Sequence, residues 1–246
     1  MKTVASSGFK CLDSIIGGLR PGNLIGITSA EGMGKTSLAI NIALKSNVKG
    51  KILYFAFEEL KENIENRIIC LGKQDIYEKS NIEIIDDYYF YNIDELDKKL
   101  SNENEIKLVL IDYISLMYCN KDKSESSQIT YIMKKLKKIA VKKKITIIVL
   151  KSLSNEVYFR KNKRPTIRDL KDIKYRCDIL LSIYRDEYYN APYVTNGYPC
   201  GITYIPNYSM TLPQVGVELI VNKNKNTHKR ETAYLFINRN NGNYFE

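Results

Sequence analysis

The sequence predicts an α/β fold in which helices flank a mainly parallel central sheet and a C-terminal antiparallel hairpin extends that sheet. Apolar runs rich in β-branched residues alternate with segments of helical periodicity, which is typical of parallel strands covered on both faces. Two later apolar runs flank a basic loop, which predicts the hairpin. The 246 residues suffice for one domain, residues 1–246, with a full core.

Composition and cysteine usage narrow the class of protein. Hydrophobic residues make up 44% of the chain, yet no apolar run approaches the ~20 residues that cross a bilayer, and residues 1–20 resemble no signal peptide. We therefore expect a cytoplasmic protein with no membrane partner. Five cysteines are scattered without a C-x-x-C pair, which suits a reducing compartment better than a disulfide framework or a zinc site. His228 is the only histidine, so any general base has to be a carboxylate.

The first predicted strand and helix enclose a phosphate-binding loop. The sequence Ser29-Ala30-Glu31-Gly32-Met33-Gly34-Lys35-Thr36 follows the apolar run 24–27 and precedes a helix-like segment, 37–44. In such a loop, backbone N–H groups wrap a polyphosphate, a lysine reaches its outer phosphates and a hydroxyl binds the accompanying magnesium. Lys35 and Thr36 fill the last two roles, whereas Ser29 replaces the usual first glycine. We favour nucleotide binding over an ordinary surface turn, with contacts from Ser29, Ala30, Glu31, Gly32, Met33, Gly34, Lys35, Thr36 and Ser37.

The remaining elements follow in order along the chain. The predicted strands are 51–57, 82–85, 107–112, 146–150 and 179–184. The predicted helices are 60–71, 93–100 and, after a polar loop at 121–127, one that contains the lysine cluster 134–144. Residues 188–216 carry four of the six prolines and suggest a long irregular insertion. The hairpin strands are 216–221 and 232–238, joined by the basic loop 222–230.

The net charge of +10 permits a polyanionic partner, although a lysine-rich composition alone produces the same balance. The lysine cluster 134–144 is interleaved with apolar residues at positions 129, 132, 133, 136, 139 and 140, which is helical spacing. We favour a helix that covers the sheet and keeps its lysines in water over a dedicated nucleic-acid contact.

Two carboxylates follow predicted strands and are candidates for nucleotide chemistry. Asp112 ends the apolar strand 107–112, where a metal-side acid would stand, although any strand can end in aspartate. Glu58 ends the strand after the phosphate loop, beside the expected phosphate, and is the candidate base for activating water. We expect Glu59 to lie on the turn and to be the more exposed of the two glutamates.

Several strings in order along nearly the whole chain resemble the RecA-like ATPase domain of DnaB-type replicative DNA helicases. The first is Gly8-Phe9-Lys10-Cys11-Leu12-Asp13 with Gly18-Leu19 and the phosphate loop. The others are 55–58, 111–117, 163–170 and 178–190, of which Ile111–Met117 and Tyr184–Asn190 are specific to this family. The resemblance implies a RecA-like P-loop NTPase fold, with ATP and Mg²⁺ as cofactors.

The resemblance also implies roles for individual residues. Lys35 and Thr36 become the phosphate and magnesium contacts, Asp112 the metal-side acid through Mg²⁺, and Glu58 the catalytic base. Arg185, within the string Tyr184–Asn190, becomes a nucleotide contact. Family members form hexameric rings on single-stranded DNA with ATP between neighbours, and a Lys-x-Arg pair reaches the next subunit's site. That pair matches Lys223-Asn224-Lys225, so Lys223 is an expected nucleotide contact and Lys225 an expected catalytic residue, although both would also suit a solvated basic turn.

The chain departs from the family pattern at several places. Lys225 replaces the arginine finger, and a point-like ammonium cannot reproduce the bidentate fork of a guanidinium. Ser152 stands where the family has a glutamine that senses the nucleotide, and the DNA-contacting loop is shortened at 171–176. The chain is also expected to lack the family's N-terminal helical domain, which helps rings to assemble and to bind primase.

Three function hypotheses follow from these observations. The leading one is an ATP-dependent helicase or translocase that forms rings on single-stranded DNA in replication, with primase as a possible partner. The second is a non-motor DNA-binding or assembly protein that uses ATP as a switch, which the departures at Lys225, Ser152 and 171–176 suggest. A small-molecule kinase would need an acceptor pocket and a lid that the sequence does not reveal.

Overall fold

The computed structural model describes residues 4–120, 124–154, 156–170, 173–190 and 214–246. The strands are β1 (Leu24–Ser29), β2 (Lys51–Ala56), β3 (Ile82–Ile85), β4 (Ile106–Asp112), β5 (Thr146–Ser152), β6 (Ile179–Tyr184), β7 (Gln214–Asn224), β8 (Thr232–Asn238) and β9 (Tyr244–Phe245). The helices are α1 (Lys10–Ile16), α2 (Lys35–Lys45), α3 (Lys61–Cys70), α4 (Gln74–Glu78), α5 (Ile93–Asn102), α6 (Glu125–Lys143), α7 (Glu156–Phe159) and α8 (Asp186–Asn190).

These strands form one sheet in the order β3-β2-β4-β5-β1-β6-β7-β8-β9. The first six in this order pair in parallel, and β7, β8 and β9 continue the sheet as antiparallel neighbours. The predicted α/β class and C-terminal hairpin are therefore confirmed. Because parallel strands all end at the same edge, the residues that follow β1, β2, β4, β5 and β6 gather there.

The hairpin differs from its prediction in length. Strand β7 extends to Asn224 because it pairs with β6 along its length, with Ile179 opposite Asn224. Asn224 is buried, and its side chain donates a 2.9 Å hydrogen bond to the carbonyl of Ile15. This bond allows a polar residue, which in the sequence is typical of a loop, to stand inside the strand. The connecting loop therefore begins at Lys225 rather than at Asn222.

The predicted insertion at 188–216 falls largely outside the described residues. Its first three residues belong to α8 and its last three to β7, and 191–213 lie outside the described part of the chain. Residues 121–123 of the predicted polar loop lie outside it as well, as do residues 171–172 of the shortened segment.

Helices cover both faces of the parallel strands, so two apolar cores form. One core packs α1, α2 and α3 against the sheet and continues under β7 and β8. The other packs α5 and α6 against the opposite face. In each parallel strand successive residues alternate between the two cores, as Leu180 and Leu181 do in β6.

Helix α6 confirms the prediction of a sheet-covering helix. Ile129, Ile132, Met133, Leu136, Ile139 and Ala140 are all buried. Its lysines are only partly in water, because Lys135 pairs with Asp94 at 2.5 Å and Lys137 pairs with Asp178 at 2.6 Å. Across the described ranges, no helix combines the length and apolar character that a membrane crossing requires.

Candidate active site

The phosphate loop follows β1 at the edge where the parallel strands end. Gly32 and Gly34 have φ values of +72° and +99°, a region that side-chain-bearing residues rarely adopt. A Cβ on Gly34 would lie 2.6 Å from the Tyr244 hydroxyl, so the fold also requires glycine there for space. Gly34 directly precedes α2, so the free N–H groups of the first turn of that helix face the loop. The predicted strand-loop-helix unit is therefore present.

Lys35 folds back into the loop. Its Nζ donates to Ser29 Oγ and to the Ala30 carbonyl, each at 3.2 Å. Burial lowers the pKa of this ammonium, and the neighbouring carboxylates, Asp112 first, oppose that effect. Ser29, in place of the first glycine of the pattern, thus gives Lys35 a hydrogen-bond acceptor that a glycine could not.

Two tyrosines from distant segments brace the loop. The Tyr244 hydroxyl in β9 lies 3.3 Å from the carbonyl of Gly34, to which it donates. On the other side, the backbone N–H of Glu31 donates to the Tyr158 hydroxyl at 3.0 Å. The loop conformation therefore depends on α7 and β9 as well as on its own glycines.

Asp112 lies at the end of β4 with 3% of its surface exposed. The Tyr54 hydroxyl donates a 2.9 Å hydrogen bond to Asp112 Oδ2, whereas Asp112 Oδ1 is buried without a hydrogen-bond partner. Burial raises the pKa of the carboxyl, and the nearby hydroxyls of Thr36 and Tyr54 partly offset that rise. A buried carboxylate oxygen without a partner, beside a threonine hydroxyl, fits a hard cation that takes oxygen ligands. Thr36 and Asp112 could therefore hold Mg²⁺, directly or through water.

The two glutamates after β2 differ in environment, and the expectation about their exposure is wrong. Glu58 is exposed and has no side-chain hydrogen bond within the described residues. Glu59 is half-buried and forms a two-pronged ion pair with Arg67, with N–O distances of 2.7 and 3.1 Å. Burial, then the charge of Asp112, raise the pKa of Glu58, while Lys35 lowers it. Glu58 is therefore the carboxylate available to a water at the phosphate, and Glu59 belongs to a structural pair.

A cavity of about 580 Å³ opens beside the phosphate loop. Gly32, Gly34 and Ser37 form one side of it, and Arg67, Arg185 and Arg239 contribute to the rest. Each arginine has a carboxylate partner: Arg67 pairs with Glu59, and the other two share Glu187 at 2.6 and 3.4 Å. A cavity of this size, lined by glycines, polar side chains and ion-paired arginines, suits the remainder of a nucleotide whose phosphates lie in the loop. Sequence reasoning identified Arg185 and missed Arg67, although Arg67 lies on the helix that follows Glu58.

Lys223 and Lys225 do not join this constellation in their own chain. Both lie at the opposite edge of the sheet, because β7 runs antiparallel and ends beside the start of β6. The six residues of β1 span about 20 Å between the two edges. Lys223 Nζ donates to the Lys174 carbonyl at 2.5 Å, and burial followed by the charge of Lys225 lowers its pKa. These lysines are thus hydrogen-bonded to their own chain rather than simply solvated.

Most of the predicted site residues lie together at the edge of the sheet where the parallel strands end. Ser29 and Ser152 lie opposite each other at the ends of β1 and β5, and Ala56, two residues before Glu58, pairs with Asp112. The site can bind a polyphosphate, hold a magnesium ion and offer a carboxylate base for water. Lys223 and Lys225 of the same chain lie at the other edge, so the role expected of Lys225 is not filled by that residue within one chain.

The described fold and sequence match known proteins. The family of DnaB-like helicase C-terminal domains matches residues 5–83 and 71–243. A probable replicative DNA helicase of Trieres chinensis is 34% identical over 219 residues, covering 76% of this chain and 48% of that protein. The replicative DNA helicase DnaB of Mycoplasma pneumoniae is 30% identical over 218 residues, covering 73% of this chain and 46% of that protein. The chain thus spans about half the length of the curated relatives it matches.

Solved structures give the same picture. One solved ATPase domain superposes with a TM-score of 0.80 at 25% identity, covering 100% of this chain and 92% of that one. A DnaB-like replicative helicase studied with primase gives the same score and identity over 97% of this chain and 62% of that one. The RadB recombinase shares the fold alone, with a TM-score of 0.62 at 18% identity. The predicted RecA-like fold is therefore confirmed.

Proposed function

Because the chain belongs to the family of DnaB-like helicase C-terminal domains, we propose that it is an ATP-dependent DNA motor that assembles as a ring on single-stranded DNA in replication. One observation carries the proposal. The phosphate loop, Glu58 and Asp112 lie at one edge of the sheet, and Lys223 and Lys225 lie at the other. Because these two groups of residues lie at opposite edges of the sheet, the lysines of one copy can reach only the nucleotide of a neighbouring copy. The site is then complete only between two adjacent copies.

Each residue then has a defined role in hydrolysis. The loop N–H groups and Lys35 hold the phosphates of ATP, while Thr36 and Asp112 hold Mg²⁺, which supplies charge neutralisation at the phosphates when bound. Arg185 and Ser37 contact the nucleotide from the cavity. Glu58 accepts a proton from the attacking water. Lys225 of the neighbouring copy stabilises the charge that develops on the transferred phosphoryl group, and Lys223 assists it.

The connector between β5 and β6 is the proposed surface for single-stranded DNA. The side chains of Lys161, Arg168 and Arg176 are exposed and form no hydrogen bond or ion pair within the described ranges. Phe159 and Tyr175 expose 88% and 74% of their surfaces beside these charges. Unpaired cations and exposed rings are the two features that hold a single strand, through its phosphates and its bases respectively.

The remaining parts of the proposal rest on the relatives. Those relatives are replicative DNA helicases, and one structural neighbour was studied with primase. We extend the proposal to a six-membered ring, to primase as a partner and to a cytoplasmic location, which that likeness supports. Residues 1–246 form one RecA-like domain in this proposal, with an insertion at about 188–216.

The test combines assembly with turnover. The purified chain is measured by size-exclusion chromatography with light scattering, alone and with ATP, Mg²⁺ and oligo(dT). ATP hydrolysis is measured with and without the oligonucleotide, and unwinding by strand displacement from a forked duplex. We expect conversion to hexamers, stimulated hydrolysis and unwinding.

An ATP-switched DNA-binding or assembly protein is the alternative that the same experiment separates. The observation that favours it is that Lys225 is paired with Asp178 of its own chain. Oligomers that bind DNA in ATP, with negligible hydrolysis and no unwinding, would establish the switch and reject the motor.

A further inference from the structure

Tyr158 connects the phosphate loop to the connector that carries the unpaired basic side chains. It lies in α7, at the start of that connector, and its hydroxyl accepts the N–H of Glu31 at 3.0 Å. Glu31 is exposed at the tip of the loop. The backbone N–H of Leu153 also donates to the Ser29 carbonyl at 2.9 Å, where the connector and the loop begin. The Tyr158 bond is the side-chain contact between the connector and the tip of the loop, so it is a direct path between the two surfaces.

A cluster of aromatic rings fixes the position of Tyr158. Its ring packs edge-to-face on Tyr189, with centroids 6.3 Å apart, and Tyr189 stacks on Tyr184 at 6.0 Å. Lys163 of the connector lies over the Tyr189 ring at 5.0 Å. Aromatic pairs of this geometry are stabilised by the attraction between their rings in addition to the area that they bury. The rings therefore hold the Tyr158 hydroxyl against the loop.

The connector transmits the position of Tyr158 to its basic side chains. Two residues beyond Tyr158, Arg160 forms a two-pronged pair with Asp169, with N–O distances of 2.8 and 2.9 Å. Arg160 also donates to the Arg164 carbonyl at 2.7 Å. These bonds close residues 160–169 into a braced loop, on which Lys161 and Arg168 are displayed. A strand bound to those cations thus acts on an element bonded to Tyr158.

We propose that Tyr158 is a positioning residue that couples single-stranded DNA binding on the connector to nucleotide binding in the phosphate loop. The inference rests on the proposed function, since it requires both ligands. DNA bound to the connector would favour the arrangement in which the Tyr158 hydroxyl accepts the Glu31 N–H, and would so stabilise the loop in its phosphate-binding conformation. The Ser152 side chain, at the end of β5, forms no hydrogen bond within the described residues, whereas Tyr158 supplies a polar link to the tip of the loop.

Thermodynamic linkage allows the proposed coupling to be measured from either ligand. If DNA strengthens nucleotide binding by some factor, the nucleotide must strengthen DNA binding by the same factor. Dissociation constants are therefore measured for ATPγS with and without oligo(dT), and for oligo(dT) with and without ATPγS. We expect the wild-type chain to give one common factor of about fivefold or more.

Tyr158→Phe removes the hydroxyl and keeps the ring. We expect both factors to fall together to below about twofold, because one neutral hydrogen bond accounts for a factor of about two to ten and this one is lost. Tyr189→Phe is the matched control, since the Tyr189 hydroxyl has no hydrogen bond within the described residues, and it should keep the wild-type factor. Amide hydrogen exchange at Glu31 gives a second measure, with oligo(dT) slowing exchange in the wild-type chain and not in Tyr158→Phe.

The outcomes separate the two proposals. A wild-type chain that binds neither ligand contradicts the proposed function itself. A wild-type chain that binds both ligands with a factor of one, or a folded Tyr158→Phe variant that keeps the wild-type factor and exchange pattern, overturns the role of Tyr158 alone. Loss of coupling in Tyr189→Phe as well would show that the effect does not depend on the Tyr158 hydroxyl in particular, and would reject its assigned role.

Discussion

Lys225 Nζ lies 3.4 Å from Asp178 Oδ1, and Lys137 Nζ holds the other oxygen of the same carboxylate at 2.6 Å. Asp178 Oδ2 also accepts the backbone N–H of Leu24 at 2.9 Å. If Lys225 moves away, the nearly buried carboxylate of Asp178 therefore still has its ion pair with Lys137 and its hydrogen bond from Leu24. The half-exposed Lys225 can exchange Asp178 for a neighbour's phosphate without leaving an unpaired charge behind.

The identity of residue 225 should decide the rate of hydrolysis. We expect Lys225→Ala to lower the DNA-stimulated kcat by about 10²-fold or more, because a cation at the transferred phosphoryl group is lost. Lys225→Arg should raise kcat, since a guanidinium binds phosphate oxygens with two donors. Lys229→Ala, a change to an exposed lysine of the same loop, should stay within about twofold of the wild type. The measurement is steady-state ATP hydrolysis with oligo(dT).

Mixing variants tests whether Lys225 acts on a neighbour. Lys35→Ala and Lys225→Ala should each be inactive alone. In a random mixture about a quarter of the interfaces combine an intact Lys35 with an intact Lys225. Recovery toward that fraction supports action between copies, whereas a mixture as inactive as its parts contradicts it.

Glu58 should be required for turnover and not for binding. We expect Glu58→Gln to lower kcat by about 10²–10⁴-fold, the range for a general base, while ATP still binds. Glu59→Gln is the matched control: it weakens the pair with Arg67 and leaves the base in place, so kcat should fall far less. Hydrolysis and binding of a fluorescent ATP analogue give the two readouts. Equal losses in the two variants would remove Glu58 from its assigned role.

The pH profile of hydrolysis should carry the signature of Glu58. A base acts as the carboxylate, and burial together with Asp112 raises the pKa of this group above 4.5. Activity should therefore be full above the raised pKa and fall as pH falls through it, at a higher pH than for an ordinary glutamic acid. The measurement is kcat against pH with saturating ATP and Mg²⁺. A profile that is flat until pH 4.5 would contradict the assignment.

Asp112→Asn should stabilise the nucleotide-free chain and abolish its response to magnesium. The raised pKa of Asp112 means that the folded chain binds this proton more tightly than the unfolded chain, so stability falls as pH rises past the ordinary aspartate range. Removing the charge should raise the Tm at pH 7 by about 2–4 °C. ATP with Mg²⁺ should raise the Tm of the wild-type chain and not of the variant. Thermal unfolding with and without EDTA measures both effects.

Two basic surfaces should differ in their contribution to DNA binding. Changing Lys161, Arg168 and Arg176 together to alanine should weaken oligo(dT) binding and reduce the slope of log K against log salt by up to about two, at about 0.7 per lost phosphate contact. Changing Lys134, Lys138 and Lys142 on the outer side of α6 should leave both values nearly unchanged. Fluorescence anisotropy across salt concentrations measures them. The reverse result would move the DNA surface to α6.

Local sequence patterns predict the parallel strands and the phosphate loop, because these elements depend on residues that are close together in the chain. The strands of the parallel sheet are continuous apolar runs, and Gly32, Gly34 and Lys35 mark the phosphate loop in the sequence. The end of β7 was misplaced because Asn222-Lys223-Asn224 is polar, and only pairing with β6 and burial of Asn224 make it a strand. No local pattern distinguishes such a segment from a loop.

The tyrosine contacts that hold the phosphate loop in place also give no signal in the sequence. Tyr158 and Tyr244 contact the phosphate loop from 127 and 210 residues away, and a tyrosine in a sequence rich in tyrosine carries no mark of such a contact. Its place on the turn after the strand predicts that Glu59 is exposed. Its partner, Arg67, lies eight residues on, and only the direction of α3 brings the two together. Side-chain partners chosen by tertiary structure were therefore the part that the sequence alone did not reveal.

The contact of Tyr244 with the phosphate loop sets an order of events during synthesis. The loop leaves the ribosome early, whereas the hydroxyl that donates to Gly34 is added 210 residues later. Lys45, at the end of the helix that follows the loop, also donates to the Tyr244 carbonyl. A nascent chain that ends before β9 therefore carries the whole loop sequence without the brace. The growing polypeptide should therefore remain a poor ATP binder until β9 has been synthesised and has paired with β8.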